Sequence, residues 1–400
     1  MKSLQNSDIT RRQFLRGIGV TAGGALIATG FTQTGFSKTE NDPILEKIRP
    51  FVEQRIIAGA VMLVASKEKV IYENAIGFAD ISANKPMKTD AVFWIASQSK
   101  PITASAFMTL FDEGKIQLDD AVEKYLPEFK NQMVYSEATN DSVVLRKPSH
   151  PITIREILSH TSGLPFSSLV ESPTLDRLPL DIAVKSYAMS NLRFQPDTKY
   201  SYSNAGINTA ARIIEVVTGT DYVAYLNDRI LKPLGMKETT FFPDEHLVKR
   251  LAKAYEPNKE KNGYKEIRIT QLTYPLTDRI HRYPMPAGGL FSTARDTAKF
   301  CQLILNKGVH SGKRLLSEQA VNLMTARQTP QAVNESYGLG FMVGDGWCGH
   351  GGAYATNMQI DFKNNLIFVW MVQNNGFIKN GAEAYETFKR TAIEVYKNAM

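Results

Sequence analysis

Apolar residues recur at helical spacing over 43–57, at Ile44, Ile48, Phe51, Val52 and Ile56, and predict an amphipathic helix. Two β-rich runs follow at 59–66 and 70–77. The short polar link Lys67-Glu68-Lys69 between them predicts an antiparallel hairpin. Residues 79–90 read as a polar loop. After Phe93-Trp94-Ile95 the pattern becomes apolar on most sides and stays so to about Glu113, stopping at Gly114. Such a segment is a buried helix. Ile102, Ala106 and Leu110 form one stripe; Ala104, Phe107 and Phe111 continue the stripe of Ser97 and Lys100.

Residues 115–150 read as loop with short elements. Thr153-Ile154-Arg155-Glu156 is a capping box that opens a short helix. Residues 165–180 are rich in Pro and Ser and irregular. Helices are predicted over 205–217, ended by Gly219, and over 221–231, capped by Asp221. Residues 255–286 are polar and predict irregular strands. A helix over 293–306 follows, then strand-like runs at 337–343, 347–351, 358–362 and 366–372. Asn364-Asn365 is the turn between the last two, and an amphipathic helix over 382–397 closes the chain.

The β signal therefore sits at both ends of the chain and the helical signal between them. Strands from both ends can join one antiparallel sheet flanked by helices, which predicts an α+β protein with an inserted, mostly helical region. The expected division is an N-terminal address over 1–37 and one body over 38–400. Within the body, about 41–96 and 287–400 form the sheet-bearing part and about 97–286 the helical part.

Charge changes the picture at one end only. The formal net charge is +7, but Lys2, Arg11, Arg12 and Arg16 against Asp8 place +3 of it in the first thirty residues. The remainder is dispersed and predicts no nucleic-acid partner. Thr10-Arg11-Arg12-Gln13-Phe14-Leu15-Arg16 precedes a Gly/Ala-rich apolar stretch over 17–28. That stretch has signal-peptide length, and is too short for a good membrane span. The twin arginine followed by Phe-Leu resembles the bacterial twin-arginine export signal. It implies a periplasmic or secreted protein with no stable membrane span once the signal is removed. Cys301 and Cys348 match no metal-ligand spacing and read as two unpaired thiols.

Candidate chemistry starts from Ser-x-x-Lys, which occurs three times: Ser66–Lys69, Ser82–Lys85 and Ser97–Lys100. The first falls at a hairpin turn and the second in a loop. Only the third opens a helix, where residues three apart share a face. A lysine withdrawn from water loses preference for its charged form and can take a proton from the serine. Free N–H groups at the helix start favour developing negative charge. Tyr-x-Asn begins at Tyr72, Tyr202, Tyr225 and Tyr396; only Tyr202 lies in a polar loop before a helix, and Asn204 there can act as a helix cap. No Gly-x-Ser-x-Gly elbow and no His-Glu-x-x-His spacing exists, which argues against an α/β-hydrolase and a zinc hydrolase.

In order and spacing, several motifs resemble the serine β-lactamase and penicillin-recognising family. The likeness is closest to its group of class C β-lactamases, D-Ala-D-Ala carboxypeptidases and related esterases. They are Ser97-Gln98-Ser99-Lys100, Ser159-His160-Thr161-Ser162-Gly163-Leu164, Tyr202-Ser203-Asn204, Lys232-Pro233-Leu234-Gly235-Met236, Ala287-Gly288-Gly289-Leu290, Tyr337-Gly338-Leu339-Gly340-Phe341 and His350-Gly351-Gly352. The resemblance implies a β-lactamase/transpeptidase-like fold and a hydrolase acting on a small-molecule or peptide substrate without cofactor or metal. By it, Ser97 is the nucleophile. Lys100 and Tyr202 move protons, with the choice of base between them open, and the Ser97 and Ala353 N–H groups form the oxyanion hole. Asn204, His350, Gly351 and Gly352 bind substrate. His160, Ser162 and Glu156 read as scaffold. The family's usual Lys-Thr-Gly is absent. His350 is a weaker carboxylate anchor than a lysine, and Gly351 lacks a threonine hydroxyl. These departures favour esterase or peptidase activity over efficient β-lactamase activity. D-Ala-D-Ala carboxypeptidase or class C-like β-lactamase activity is the runner-up, and a non-catalytic peptidoglycan-fragment binder or structural protein is the reading of another class.

Overall fold

The computed structural model describes residues 42–138 and 142–397. The proposed export signal lies outside these residues. Seven strands form one antiparallel sheet in the order Met342–Gly344, Trp347–Gly351, Asn357–Asp361, Leu366–Met371, Gly59–Ala65, Val70–Asp80, Lys85–Pro86. The two chain ends meet at its centre, where Val61 pairs with Met371 and Leu63 with Val369. Both central strands are buried along their whole length, because helices cover both faces.

Strand alternation sorts the side chains. Val61, Leu63, Ile367 and Val369 face the larger core, shared with the helix Ala294–Leu305 and with Ser99–Asp112. Met62, Val64, Phe368 and Trp370 face a second core under the terminal helices Pro43–Glu53 and Glu383–Tyr396. Period-2 geometry alone accounts for this division. Cys301 and Cys348 are buried free thiols. Among the described residues no helix is long and apolar enough to cross a membrane.

The buried helix is Ser99–Asp112, preceded by a 3-10 turn at Ala96–Gln98; every residue from Ser99 to Leu110 is buried. It packs against the helix Asn204–Thr218, which also packs on the short helix Ile154–Ser159. The Thr153 capping box is present, as are the Asp221 cap and the Gly219 stop.

Four details differ from the sequence pattern. Residues 337–341 are not strand: only Met342–Gly344 joins the sheet, because Gly340 takes φ +77° and Gly338 N–H closes a turn onto the Phe341 carbonyl. Ser203, not Asn204, caps its helix, accepting from Gly206 N–H. The helix predicted over 221–231 is α-helical only at Tyr222–Leu226 and widens to a π-turn at Asn227–Leu231. Helices at Leu180–Ala188, Glu245–Arg250 and Glu318–Thr325 lie where loops or no element were expected.

Candidate active site

Ser97 stands where the two-residue strand Phe93–Trp94 turns into the buried helix. The turn is made by Ala96 at φ +46°, an unfavourable conformation for a residue with a Cβ. Three bonds hold it. Ser99 Oγ donates to the Ala96 carbonyl at 2.6 Å and accepts from Leu290 N–H at 3.2 Å. Trp94 Nε1 donates to the Gly288 carbonyl at 2.7 Å. Ser97 itself stays partly exposed while its neighbours Gln98, Ser99 and Lys100 are buried.

Lys100 is fully buried one turn on, and burial pushes its ammonium well below the ordinary lysine value. Its Nζ lies 2.7 Å from Asn204 Oδ1, 2.8 Å from the Ala287 carbonyl and 3.2 Å from Ser97 Oγ. The first two partners can only accept. An ammonium can give one N–H to each of these two acceptors and the third to Ser97 Oγ; in the neutral form the first two would still be matched and the lone pair would face the Ser97 hydroxyl. Because Ser203 takes the capping duty, Asn204 is free to serve Lys100. One turn along, Asn208 Oδ1 accepts from Ala287 N–H at 3.0 Å. Thr103 Oγ1 donates to the adjoining Pro286 carbonyl at 2.8 Å. The backbone acceptor for Lys100 is thus pinned on both sides.

Tyr202 lies across this group, with Lys100 Nζ 4.5 Å from its ring centroid. Its hydroxyl is 3.5 Å from His350 Nε2. His350 is buried on the strand Trp347–Gly351. Its Nε2 is also 2.9 Å from the hydroxyl of buried Tyr337, and its Nδ1 is 2.7 Å from the Gly351 carbonyl.

His160 closes the arrangement from below. It is the left-handed C-cap residue of Ile154–Ser159, at φ +64°. Its ring centroid sits 4.6 Å from those of both Tyr202 and Tyr337. Ser203 N–H donates to its Nδ1 at 3.2 Å. Burial, with Lys100 and His350 nearby, holds its pKa well below the ordinary histidine range, so the ring is a neutral wedge.

The structure therefore brings Ser97, Lys100, Tyr202, Asn204 and His350 together. Gly351 ends the strand beside them, Gly352 follows it, and Ala353 is an exposed turn residue. A Cβ on Gly352 would stand 2.2 Å from Thr356 Oγ1 and 2.6 Å from the Ile95 carbonyl, so only glycine lets this strand end lie against the Ser97 turn. Gly352→Ala is expected to lower turnover of any substrate by at least about tenfold while the fold survives, because a displacement near 1 Å of such groups is costly. Steady-state kinetics beside a circular dichroism melt checks this. The other two Ser-x-x-Lys matches fall elsewhere: Ser66 N–H bonds the Lys69 carbonyl in the hairpin turn, and Ser82 bonds Asp80 in an exposed turn.

Sequence reasoning did not single out Asn208, the Ala287 carbonyl or Tyr337 as site groups. Tyr337 begins one of the quoted motifs, which was a signal. Asn208 carried one too: it repeats Asn204 one helical turn on.

Comparison with known proteins shows the family and the fold. The beta-lactamase family model matches residues 44–389. Protein Rv1367c of Mycobacterium tuberculosis is 30% identical over 364 residues, covering 82% of this chain and 88% of that protein. Esterase EstB of Burkholderia gladioli is 31% identical over 278 residues, 63% of this chain and 67% of that one. Among solved structures, EstCE1, described as a hydrolase with promiscuous acyltransferase activity, superposes with a TM-score of 0.71 at 25% identity, covering 88% of this chain and 97% of its own. The proteins it is similar to thus include an esterase and a hydrolase; the fold is of the β-lactamase/transpeptidase-like type, and the chain belongs to the beta-lactamase family.

Proposed function

We propose that the protein is an exported serine hydrolase that cleaves esters through an acyl-enzyme on Ser97. The observation that carries this is the buried Lys100 amine, with both N–H groups matched by acceptors and Ser97 Oγ at 3.2 Å. Ser97 Oγ attacks the acyl carbonyl carbon as its proton passes to the Lys100–Tyr202 pair. The Ser97 and Ala353 N–H groups hold the oxyanion that forms, an interaction that strengthens only as charge develops. The intermediate collapses by breaking the bond to the leaving alcohol, which takes the proton from the same pair. Water then attacks the acyl-enzyme, gives its proton to the pair, and releases the acid; the proton returns to Ser97. Asn204 holds Lys100 in register, and Gly351 and Gly352 let the acyl group lie close to the strand.

Esters are favoured over β-lactams and D-amino acid peptides because the third motif offers His350-Gly351 where a lysine and a hydroxyl would hold a carboxylate. The esterase relative supports the same reading. Export rests on the twin-arginine-like segment. The test is a parallel screen of p-nitrophenyl esters, nitrocefin and D-amino acid peptides against wild type and Ser97→Ala. The largest kcat/KM is expected with an ester, and Ser97→Ala should lose it. Nitrocefin or a D-peptide as the best substrate would replace the esterase reading, and turnover independent of Ser97 would overturn the hydrolase reading.

A further inference from the structure

The substrate class of this site turns on one imidazole. The Gly351 carbonyl, 2.7 Å from His350 Nδ1, can only accept, so Nδ1 carries a proton. His350 Nε2 then meets the Tyr337 hydroxyl at 2.9 Å. Tyr337 is 1% exposed, and this is its hydrogen-bond partner. A proton on Nε2 would face the Tyr337 hydrogen and leave a buried O–H with no acceptor, which costs about 1–3 kcal/mol. The pair thus settles with Tyr337 donating and Nε2 accepting. Tyr202 approaches the same nitrogen at 3.5 Å.

Three basic side chains gather at this site, and two of them, His350 and Lys100, are committed within the protein. His350 is bonded through both nitrogens. Lys100 is spent on Asn204, Ala287 and Ser97. The third, His160, accepts from Ser203 N–H through Nδ1, has no hydrogen-bond partner at its buried Nε2, is packed between two phenol rings, and is held neutral by burial. None is placed to offer a cationic donor to a substrate.

We propose that Tyr337 is a specificity-determining residue: by donating to His350 Nε2 it keeps the imidazole proton on Nδ1, so that the wall beside Ser97 accepts uncharged acyl groups and disfavours acyl groups carrying a carboxylate. This rests on the acyl-enzyme reading above. Tyr337 acts through His350 and is a positioning residue. Without its hydroxyl, Nε2 can take a proton and present it to a carboxylate.

Two measurements test this. The first compares p-nitrophenyl butyrate with mono-p-nitrophenyl succinate, acyl chains of equal length that differ by a terminal carboxylate. Wild type should prefer butyrate. In Tyr337→Phe the butyrate kcat/KM should fall several-fold, since Tyr202 loses a fixed neighbour. The preference ratio should move at least about tenfold toward succinate, chiefly through KM, the scale on which an unmatched polar group discriminates. The second is the 15N spectrum of protein labelled at its six histidines, with His350 assigned by loss of its signal in His350→Gln. The expected signature is the Nδ1–H tautomer in wild type and a shift toward a protonated Nε2 in Tyr337→Phe when acetate is added.

A ratio that stays within about twofold of wild type, or a wild-type imidazole protonated on Nε2, would overturn the proposal. Absence of Ser97-dependent release from both esters would instead defeat the acyl-enzyme reading, and the nitrogen signature alone would then decide the role of Tyr337.

Discussion

Lys100→Met is expected to lower ester turnover by on the order of 10³-fold, within the usual range for loss of a general base, and to flatten the pH dependence of stability. Methionine reproduces the lysine side chain out to Cε and lacks only the amine, which keeps most of the core filled, so the loss reports proton transfer and not collapse. Burial holds the Lys100 amine well below its ordinary value of 10.5 in the folded protein. Between that lowered value and 10.5 the unfolded chain carries a proton on this side chain that the folded chain has released. The unfolded state therefore binds more protons, and stability rises with pH across the interval. Activity rises through the same lowered pKa, because only the neutral amine can accept from Ser97. Urea unfolding at several pH values measures the first effect: the stability gap between wild type and Lys100→Met should change with pH. Parallel curves would mean that Lys100 is charged in the fold. The variant also strands Asn204 Oδ1 and the Ala287 carbonyl, so a loosened 285–289 turn is expected beside the kinetic loss.

The second large effect is chemical. Ser97→Ala should abolish covalent labelling by a fluorophosphonate, read as loss of the adduct in the intact mass. It should reduce turnover by on the order of 10⁴-fold or more, as for other activated serines. The other hydroxyls beside the site are engaged: Ser99 ties the turn and Ser203 caps a helix while donating to the Pro165 carbonyl. Labelling that persists at either one in Ser97→Ala would remove Ser97 from the mechanism. The substitution leaves the backbone N–H and the strained turn at Ala96 in place, so the folded state should be retained.

Much of this arrangement was legible before any coordinates. The strand Trp347–Gly351 matches its sequence pattern end to end, because a run bounded by Gly346 and Gly352 has sharp edges. Ser97 could be separated from two identical motifs because only its context was a buried helix. What escaped reading was of another kind. The Ala287 carbonyl that orients Lys100 is backbone, and no side chain announces it. Tyr337 sits in a run that alternates like a strand, yet Gly340 turns it. A Cβ there would stand 2.7 Å from that of Ala104, so tertiary closeness to the helix Ser99–Asp112 overrides the local pattern. Asn204 looked like a helix cap on its own merits, and only the bond from Ser203 Oγ to Gly206 N–H shows that its neighbour does that work. Local chemistry is readable; the division of labour between adjacent polar residues depends on partners about a hundred positions away.

The meeting of chain ends at the centre of the sheet has a consequence for biosynthesis. Val61 pairs with Met371, so the strand Gly59–Ala65 leaves the ribosome with its central partner roughly 300 residues behind. At about 5–20 residues per second this is an interval of about 15–60 s. During it an almost wholly apolar strand has only its hairpin neighbour Val70–Asp80. The Ser97 turn is built against the chain at Gly352, just past its strand, and cannot close until synthesis is nearly finished. Ribosome-bound chains that stop short of Leu366 therefore hold an open sheet edge, a template for pairing with another chain until the last strand arrives.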